Sequence, residues 1–341
     1  MKASHQRIVV AHRGGPEVLR MVEEPIPDPE PGEARVKVHA AGVSAFDLMV
    51  RSRFFPGFPR LPFTPGVDIV GEVDELGAGV ETVQPGLTVA AMTSLGGGGY
   101  SEFICLPADE LVPVPPGIDP AEAVCVVANY LTANLAMHRT ARVQSGDRIL
   151  VQGAAGGVGS ALLELGRLAG LEMYGTASQH NHEVVSSLGA TPIDYRNEDI
   201  VERIRALTGD GVDVVFDQIG GASQLWRSYR CLRKGGRLIW FGVAAVSRTG
   251  LRVIPLSLIT RLALALIPDG KSAPLMQDAA KVGQTDKDWY WKSLTELLDY
   301  VAAGKIRPIV ADRIPLAEAS RAHELLEHGG HAGKVVLLPN E

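Results

Sequence analysis

The sequence predicts an α/β protein of two domains, one β-rich with an irregular, barrel-like sheet and the other a doubly wound parallel sheet. Three observations carry this. The first third is made of short strand-like runs broken by Gly and Pro. The middle alternates apolar strands with helices, the pattern of parallel βαβ units. A length of 341 residues suits two domains.

The elements follow in order. Pro25, Pro27, Pro29, Pro31 and Gly32 form a connector, after which Ala34 to Ala40 alternates as a strand with Val36 and Val38 on one face. Val67 to Val73, Leu87 to Ala91 and Ser101 to Leu106 read as further strands, with a flexible loop at Gly96 to Gly99. Pro120 to Val127 and Thr132 to Arg139 look helical. Strands are then expected at Arg148–Gln152, Glu172–Thr176, Pro192–Tyr195, Val212–Phe216 and Arg237–Phe241. Between them lie helices at Val158–Ala169, His182–Leu188, Ile200–Leu207 and Gln224–Leu232, the first with Leu162, Leu165 and Leu168 at helical spacing. Helices over Lys292–Ala303 and Leu316–His328 and a strand over Gly333–Leu338 close the chain. The expected division is 1–122 and 305–341 for the β-rich domain, with 123–304 inserted between them.

Composition removes several function classes. Hydrophobic residues at 46% and charged residues at 21% specify a folded core, and a net charge of −6 without a basic run gives no footing for nucleic acid. Three scattered cysteines, Cys105, Cys125 and Cys231, exclude a disulfide scaffold and a cysteine-rich structural zinc site, and they suit a reducing, cytoplasmic setting. The first residues lack the apolar core of a secretory signal. Leu251–Ile267 is apolar but interrupted by Arg252, Pro255 and Arg261, so it is not expected to span a membrane. It reads as a buried helix or subunit contact, or else as the wall of an apolar tunnel or a membrane-surface patch.

The sharpest motif is Gly153-Ala154-Ala155-Gly156-Gly157-Val158-Gly159, placed between a strand and a helix. Glycines there allow a tight turn, and the N–H groups of Ala155, Gly156, Gly157 and Val158 are placed to meet a pyrophosphate at a helix N-terminus. An acid about 20 residues on would hold the ribose of NAD. The second strand instead runs into Ser178, Asn181 and His182, with no Asp or Glu. These can donate to a 2′-phosphate, so the expected cofactor is NADPH.

With these residues in place, the chain resembles the quinone oxidoreductase branch of the medium-chain dehydrogenase/reductase superfamily, and within it the group of VAT-1 homologues. The resemblance rests on Ala41–Met49, Pro65–Gly71, Asn129–Ala133, Ala154–Gly159, Gly175–Ser178, Pro192–Tyr195 and Gly333–Val336, and it covers nearly the whole chain. It implies a GroES-like catalytic domain made from both chain ends, a central Rossmann domain, NADPH in the interdomain cleft and a homodimer. It also implies a 2′-phosphate site at Ser178, Tyr195 and the loop Asn181–His182, where the lysine usual in that loop is missing. Nicotinamide-side contacts fall on Thr132, the turn Gly242–Val243 and Lys334.

The alcohol-dehydrogenase branch binds catalytic zinc at positions that here hold Ser44, Val67 and Ala128, none of them a good ligand. The pairs His180/His182 and His328/His331 read as solvated residues rather than metal ligands. Without a Lewis acid, alcohol oxidation is disfavoured, whereas a quinone or enone is already electrophilic. Ser44 stands where the family usually has Asn, as a weak polar contact to the acceptor. Phe55 replaces a family tyrosine, and Phe54, Phe55 and Phe58 suggest an apolar substrate mouth. The expected function is zinc-independent, NADPH-dependent hydride delivery to a small apolar quinone or α,β-unsaturated carbonyl. The alternatives are a VAT-1-like lipid-binding or transfer protein and, disfavoured, an NADP-dependent alcohol dehydrogenase.

Overall fold

The computed structural model of the chain describes residues 3–52, 59–93, 97–242, 253–277 and 279–339. In chain order its strands are β1 (Ser4–Val10), β2 (Leu19–Pro25), β3 (Glu33–Val43), β4 (Asp68–Leu76), β5 (Thr88–Met92), β6 (Phe103–Pro107), β7 (Val112–Pro113), β8 (Arg148–Gln152), β9 (Glu172–Ala177), β10 (Thr191–Asp194), β11 (Val212–Asp217), β12 (Leu232–Trp240), β13 (Val310–Pro315) and β14 (Lys334–Leu338). The chain divides into two compact units. One runs to Leu131 and adds Ala280–Gly329 and the residues from Lys334 onward; the other is Thr132–Ala279 with Gly330–Gly333.

In the first unit, β13-β14-β3-β4-β5-β7 form one sheet, with β6 also on β3, and β1 pairs β2 as a separate hairpin. Ala34, Val36, Val38 and Ala40 of β3 are fully buried, as their alternation demands. Register shifts at Arg35/Val36 and Val38/Ala40 bend β3 so that it serves β4 and β6 at once. Past β6, along the edge of β3 opposite β4, β3 pairs antiparallel with β14, Gly42 opposite Val336, so residues 334–338 complete this sheet.

The second unit carries the parallel sheet β10-β9-β8-β11-β12. Residues Ile149, Leu150, Val151, Val214, Val215 and Phe216 are fully buried, because helices cover both faces of such a sheet. Strand order reverses between β8 and β11, and the helix Gly157–Leu168 leaves β8 at that point. Leu162 and Leu165 face the core, while Leu168 turns outward at 43% exposure.

The structure departs from the sequence reading in four places. The helical run from Pro120 to Ala141 is continuous, with wider π-helical turns at Val126–Tyr130 and Leu135–Ala141, so Thr132 lies within it and not at a helix start. The helix Lys287–Ala302 belongs to the first unit, where Tyr290 accepts from the Met92 N–H (3.0 Å) and the Trp291 indole donates to the Asp109 carbonyl (2.7 Å). These contacts draw the second exchange between units to Ala279/Ala280, against the expected 304/305, and the first lies at Leu131/Thr132, against the expected 122/123. Strands β1, β2 and β13 and the helix Ala45–Ser52 add to the expected elements. Finally, Val253–Ala265 is a helix buried on one face only: Val253, Ser257, Arg261 and Leu264 are buried, whereas Leu256, Ile259 and Leu262 are about half exposed or more. Leu251 and Arg252 lie outside the described residues. Among the described residues no helix is long and apolar enough to cross a membrane.

Candidate functional site

The glycine turn begins where β8 ends. Gly153 sits at φ +71°, and its N–H donates to the Thr176 hydroxyl (3.0 Å) while its carbonyl accepts from Gln218 Nε2 (2.9 Å). Gly156 then caps the helix without a side-chain partner, which leaves the first N–H groups of Gly157 and Val158 unsatisfied by the helix itself. A Cβ at Gly159 would lie 2.2 Å from the Gly153 carbonyl oxygen, so that glycine is required for the helix to pack onto the turn. A Cβ at Gly156 would meet nothing nearer than 3.5 Å. Gly156 is therefore spare as far as the chain's own packing goes, and the space over it faces an uncapped helix N-terminus carrying partial positive charge. That combination fits an anionic pyrophosphate.

Residues 330–333 fasten the turn from the other side. The Gly333 N–H donates to the Ala155 carbonyl (2.9 Å), and Gly156 and Gly333 form a parallel bridge. Within the same four residues the Gly330 carbonyl accepts from Asn181 Nδ2 (3.2 Å) and from His180 Nε2 (2.8 Å). His180 is exposed, and it is also a tether, with its Nε2 3.4 Å from the Ser178 hydroxyl. Part of the Asn181 donor capacity expected for a phosphate is spent on Gly330. His182 is half-buried, and its Nε2 has no hydrogen-bond partner among the described residues.

Beyond the ends of β9 and β10 opens a cavity of about 410 Å³, lined by Gln179, His180, Asp194, Arg196 and Asn197. Tyr195 is 38% exposed beside it, its ring 5.7 Å from the Arg196 guanidinium. The sequence reading assigns no role to Asp194, Arg196 or Asn197. Asp194 supplies an acid from the third strand, not the second; Arg196 N–H and Asn197 Nδ2 donate to it (3.0 and 2.7 Å) and hold its carboxyl below the usual range. Arg196 brings a cation to a loop that lacks a lysine. The signal was the parallel register, which sets Asp194 beside Ala177, one residue before Ser178.

In the same unit, Thr132 is half-buried in its helix, and Gly242 packs so closely that a Cβ would lie 2.4 Å from the Gln218 carbonyl oxygen. Val243 and the trio Phe54, Phe55 and Phe58 lie outside the described residues.

The first unit holds the remaining candidates. Ser44 precedes the helix Ala45–Ser52 and forms a reciprocal cap with Asp47: the Ser44 N–H and hydroxyl donate to Asp47 Oδ2 (2.9 and 2.6 Å), and the Asp47 N–H donates back (3.3 Å). Asp47 Oδ1 accepts from the Gly66 N–H (2.9 Å), and the carboxyl is 1% exposed. Lys334, 3% exposed, stands 2.8 Å from Asp68 Oδ2 as a buried ion pair, and among the described residues neither group has a well-directed hydrogen bond. The pair lies over Gly42, where a Cβ would sit 2.0 Å from Lys334 Cε. Among the described residues no cluster of three His, Cys, Asp or Glu could hold a metal.

Comparison with known proteins agrees with this layout. The pattern of the alcohol dehydrogenase GroES-like domain matches residues 30–116, and one described as zinc-binding dehydrogenase matches residues 188–337. Quinone oxidoreductase of Lama guanicoe is 32% identical over 98% of this chain and 99% of its own. The synaptic vesicle membrane protein VAT-1 homolog of Rattus norvegicus is 29% identical over 97% of this chain and 83% of its own. The crystal structure of Escherichia coli quinone oxidoreductase complexed with NADPH superposes with a TM-score of 0.88 at 29% identity, covering 98% of this chain and 100% of that one. Two sheets of the expected kinds, a glycine turn at the strand-order reversal and full-length likeness to these proteins together place the chain in the quinone oxidoreductase branch of the medium-chain dehydrogenase/reductase superfamily.

Proposed function

We propose that this oxidoreductase uses NADPH to reduce a small apolar quinone or α,β-unsaturated carbonyl, without zinc. The observation that carries the reading is the contrast within the glycine turn: Gly159 is demanded by packing, whereas Gly156 is open over an uncapped helix N-terminus. A nucleotide pyrophosphate accounts for that opening. The NADPH-bound state of the Escherichia coli relative supports the same cofactor.

The Gly157 and Val158 N–H groups would hold the pyrophosphate, with Ala155 and Gly156 shaping the approach. Ser178, His182, Tyr195 and the remaining Asn181 hydrogen would serve the 2′-phosphate, joined by Arg196, whose guanidinium suits a phosphate better than the missing lysine would. Thr132, the Gly242–Val243 turn and Lys334 are proposed on the nicotinamide side. When bound, reduced nicotinamide supplies a hydride. The zinc-free reading rests on the identities of Ser44, Val67 and Ala128. A quinone or enone needs little polarisation, so the Ser44 hydroxyl suffices as the polar contact. We further take the protein to be a cytoplasmic homodimer, in keeping with its three unpaired thiols.

A second reading, lipid binding or transfer, is favoured by one observation: the helix Val253–Ala265 and the residue after it expose Leu256, Ile259, Leu262 and Leu266. Steady-state assays separate the two. NADPH oxidation with 1,4-naphthoquinone or but-3-en-2-one, and none of simple alcohols with NADP+, is the expected result. NADPH binding without turnover of any acceptor, together with retention on lipid vesicles, would favour the second.

A further inference from the structure

We infer that Asp47, acting through the Ser44 hydroxyl, supplies the proton that the acceptor takes up after receiving hydride. This rests on the reductase reading above and adds the source of the proton. Ser44 is then the group that touches the acceptor, and Asp47 is a positioning residue behind it.

A helix cap alone does not need this arrangement. The carboxylate of a capping box works well in water, yet here it is 1% exposed and additionally ties down the Gly66 N–H from the loop before β4. Ser44, one short bond away at 2.6 Å, is only half-buried. A buried acid is thereby wired to the hydroxyl of a half-buried residue by a contact that works in either donor direction.

The groups around Asp47 leave it the part of proton store. Asp68 on β4 raises its affinity for a proton and is itself matched by the Lys334 ammonium on β14. Tyr100 is fully buried, and burial with the nearby Asp47 and Asp68 charges holds its phenol well above the ordinary range. Tyr100 Oη is 3.1 Å from His323 Nε2, and Arg51 Nη1 is 3.0 Å from His323 Nδ1. Arginine only donates, so Nδ1 accepts and the Nε2–H donates to Tyr100. Burial and Arg51 push His323 down to about 3, which keeps it neutral. For Asp47, burial first and Asp68 next raise the carboxyl to about 6 against the pull of its Ser44 and Gly66 bonds.

Protonation of Asp47 sets the direction of the hydroxyl. With the carboxylate ionised, the Ser44 O–H points inward to Oδ2. With Asp47 protonated, Ser44 Oγ accepts from the Oδ2–H and from the Asp47 N–H, and its own O–H is free to face outward. After hydride reaches the acceptor carbon, the acceptor oxyanion takes the Ser44 proton and Oγ takes the Asp47 proton. Asp47 ends as a carboxylate and is reprotonated from water through the same hydroxyl once product leaves. No other reactant is required.

The test is the pH profile of NADPH-dependent but-3-en-2-one reduction, from about pH 5.5 to about pH 8, in H₂O and D₂O. About one Asp47 in a hundred carries a proton at two pH units above its midpoint, so wild-type kcat should fall at least tenfold across the range, with a solvent isotope effect of roughly two or more. Ser44→Ala should be slower and flat, and Ser44→Thr should restore the limb. Asp47→Asn, whose amide donates permanently to Oγ, should also be flat, with its fold checked by thermal unfolding. A wild-type limb surviving unchanged in Ser44→Ala, or a flat wild-type profile, overturns the relay while leaving the reductase reading standing. Absence of turnover with both but-3-en-2-one and 1,4-naphthoquinone overturns the reductase reading, and the relay with it.

Discussion

Replacing Lys334 by Met isolates the cost of an unmatched charge in the first unit. Lys334 Nζ and Asp68 Oδ2 are 2.8 Å apart, with the two residues 3% and 0% exposed. The pair lies against Gly42, where a Cβ would sit 2.0 Å from Lys334 Cε and 2.6 Å from Asp68 Oδ1. Without the ammonium, the Asp68 carboxylate stays buried with no counter-charge, a loss of about 3–5 kcal/mol. At about 2–4 °C per kcal/mol for a domain of this size, the unfolding midpoint should drop by roughly 6–20 °C. The double variant Asp68→Asn/Lys334→Met removes both charges and should recover most of that loss. Thermal and urea unfolding of the four proteins in the cycle provide the assay. A Lys334→Met midpoint within about 2 °C of wild type, or a double variant as unstable as the single, would refute the reasoning. NADPH titration of the stable double variant then reads the proposed nicotinamide-side role of Lys334 apart from its structural one.

The other expectations concern the second unit and the metal. NADPH should bind at least about tenfold more tightly than NADH, since one charge-assisted bond to the 2′-phosphate contributes ~1.5–3 kcal/mol, and Arg196→Ala should erase most of the difference in fluorescence titrations. Gly156→Asp should fold normally, because at φ −69° its Cβ meets only ordinary contacts at 3.5 Å or more, yet lose NADPH binding through repulsion with the pyrophosphate. Gly159→Ala should instead lose stability, its Cβ driven against the Gly153 carbonyl, as a melting curve would register. Elemental analysis of the purified protein should find well under one zinc per chain; near-stoichiometric zinc would contradict the reading of Ser44, Val67 and Ala128.

What the sequence disclosed depended on how much of each pattern is local. Strand β8 was legible to the residue, because a parallel strand buried on both faces is a continuous apolar run. Strand β13 was not: it places Asp312 and Arg313 outward, ion-paired with Arg321 and Asp119, and so carries no apolar rhythm. The glycine turn could be read because strand, turn and helix are contiguous. Arg196 could not, since its place at the cavity follows from the pairing of β10 with β9. Asp47 shows a third case. Neither its helix nor its cap with Ser44 was read from the sequence, and its burial is a property of β4 and the loop before it, which local spacing does not encode.

The fastening of the glycine turn by Gly330–Gly333 has a consequence for biosynthesis. Translation delivers Gly153 to Val158 long before the residues that bond to Ala155 and to the His180–Asn181 loop. A nascent chain that already carries all five strands of the parallel sheet still has the Ala155 carbonyl and these two side chains without their final partners. Completion of the turn thus waits for the emergence of residues 330–333 from the ribosome, and an excised fragment spanning Thr132–Ala279 would reproduce the sheet while omitting its clasp.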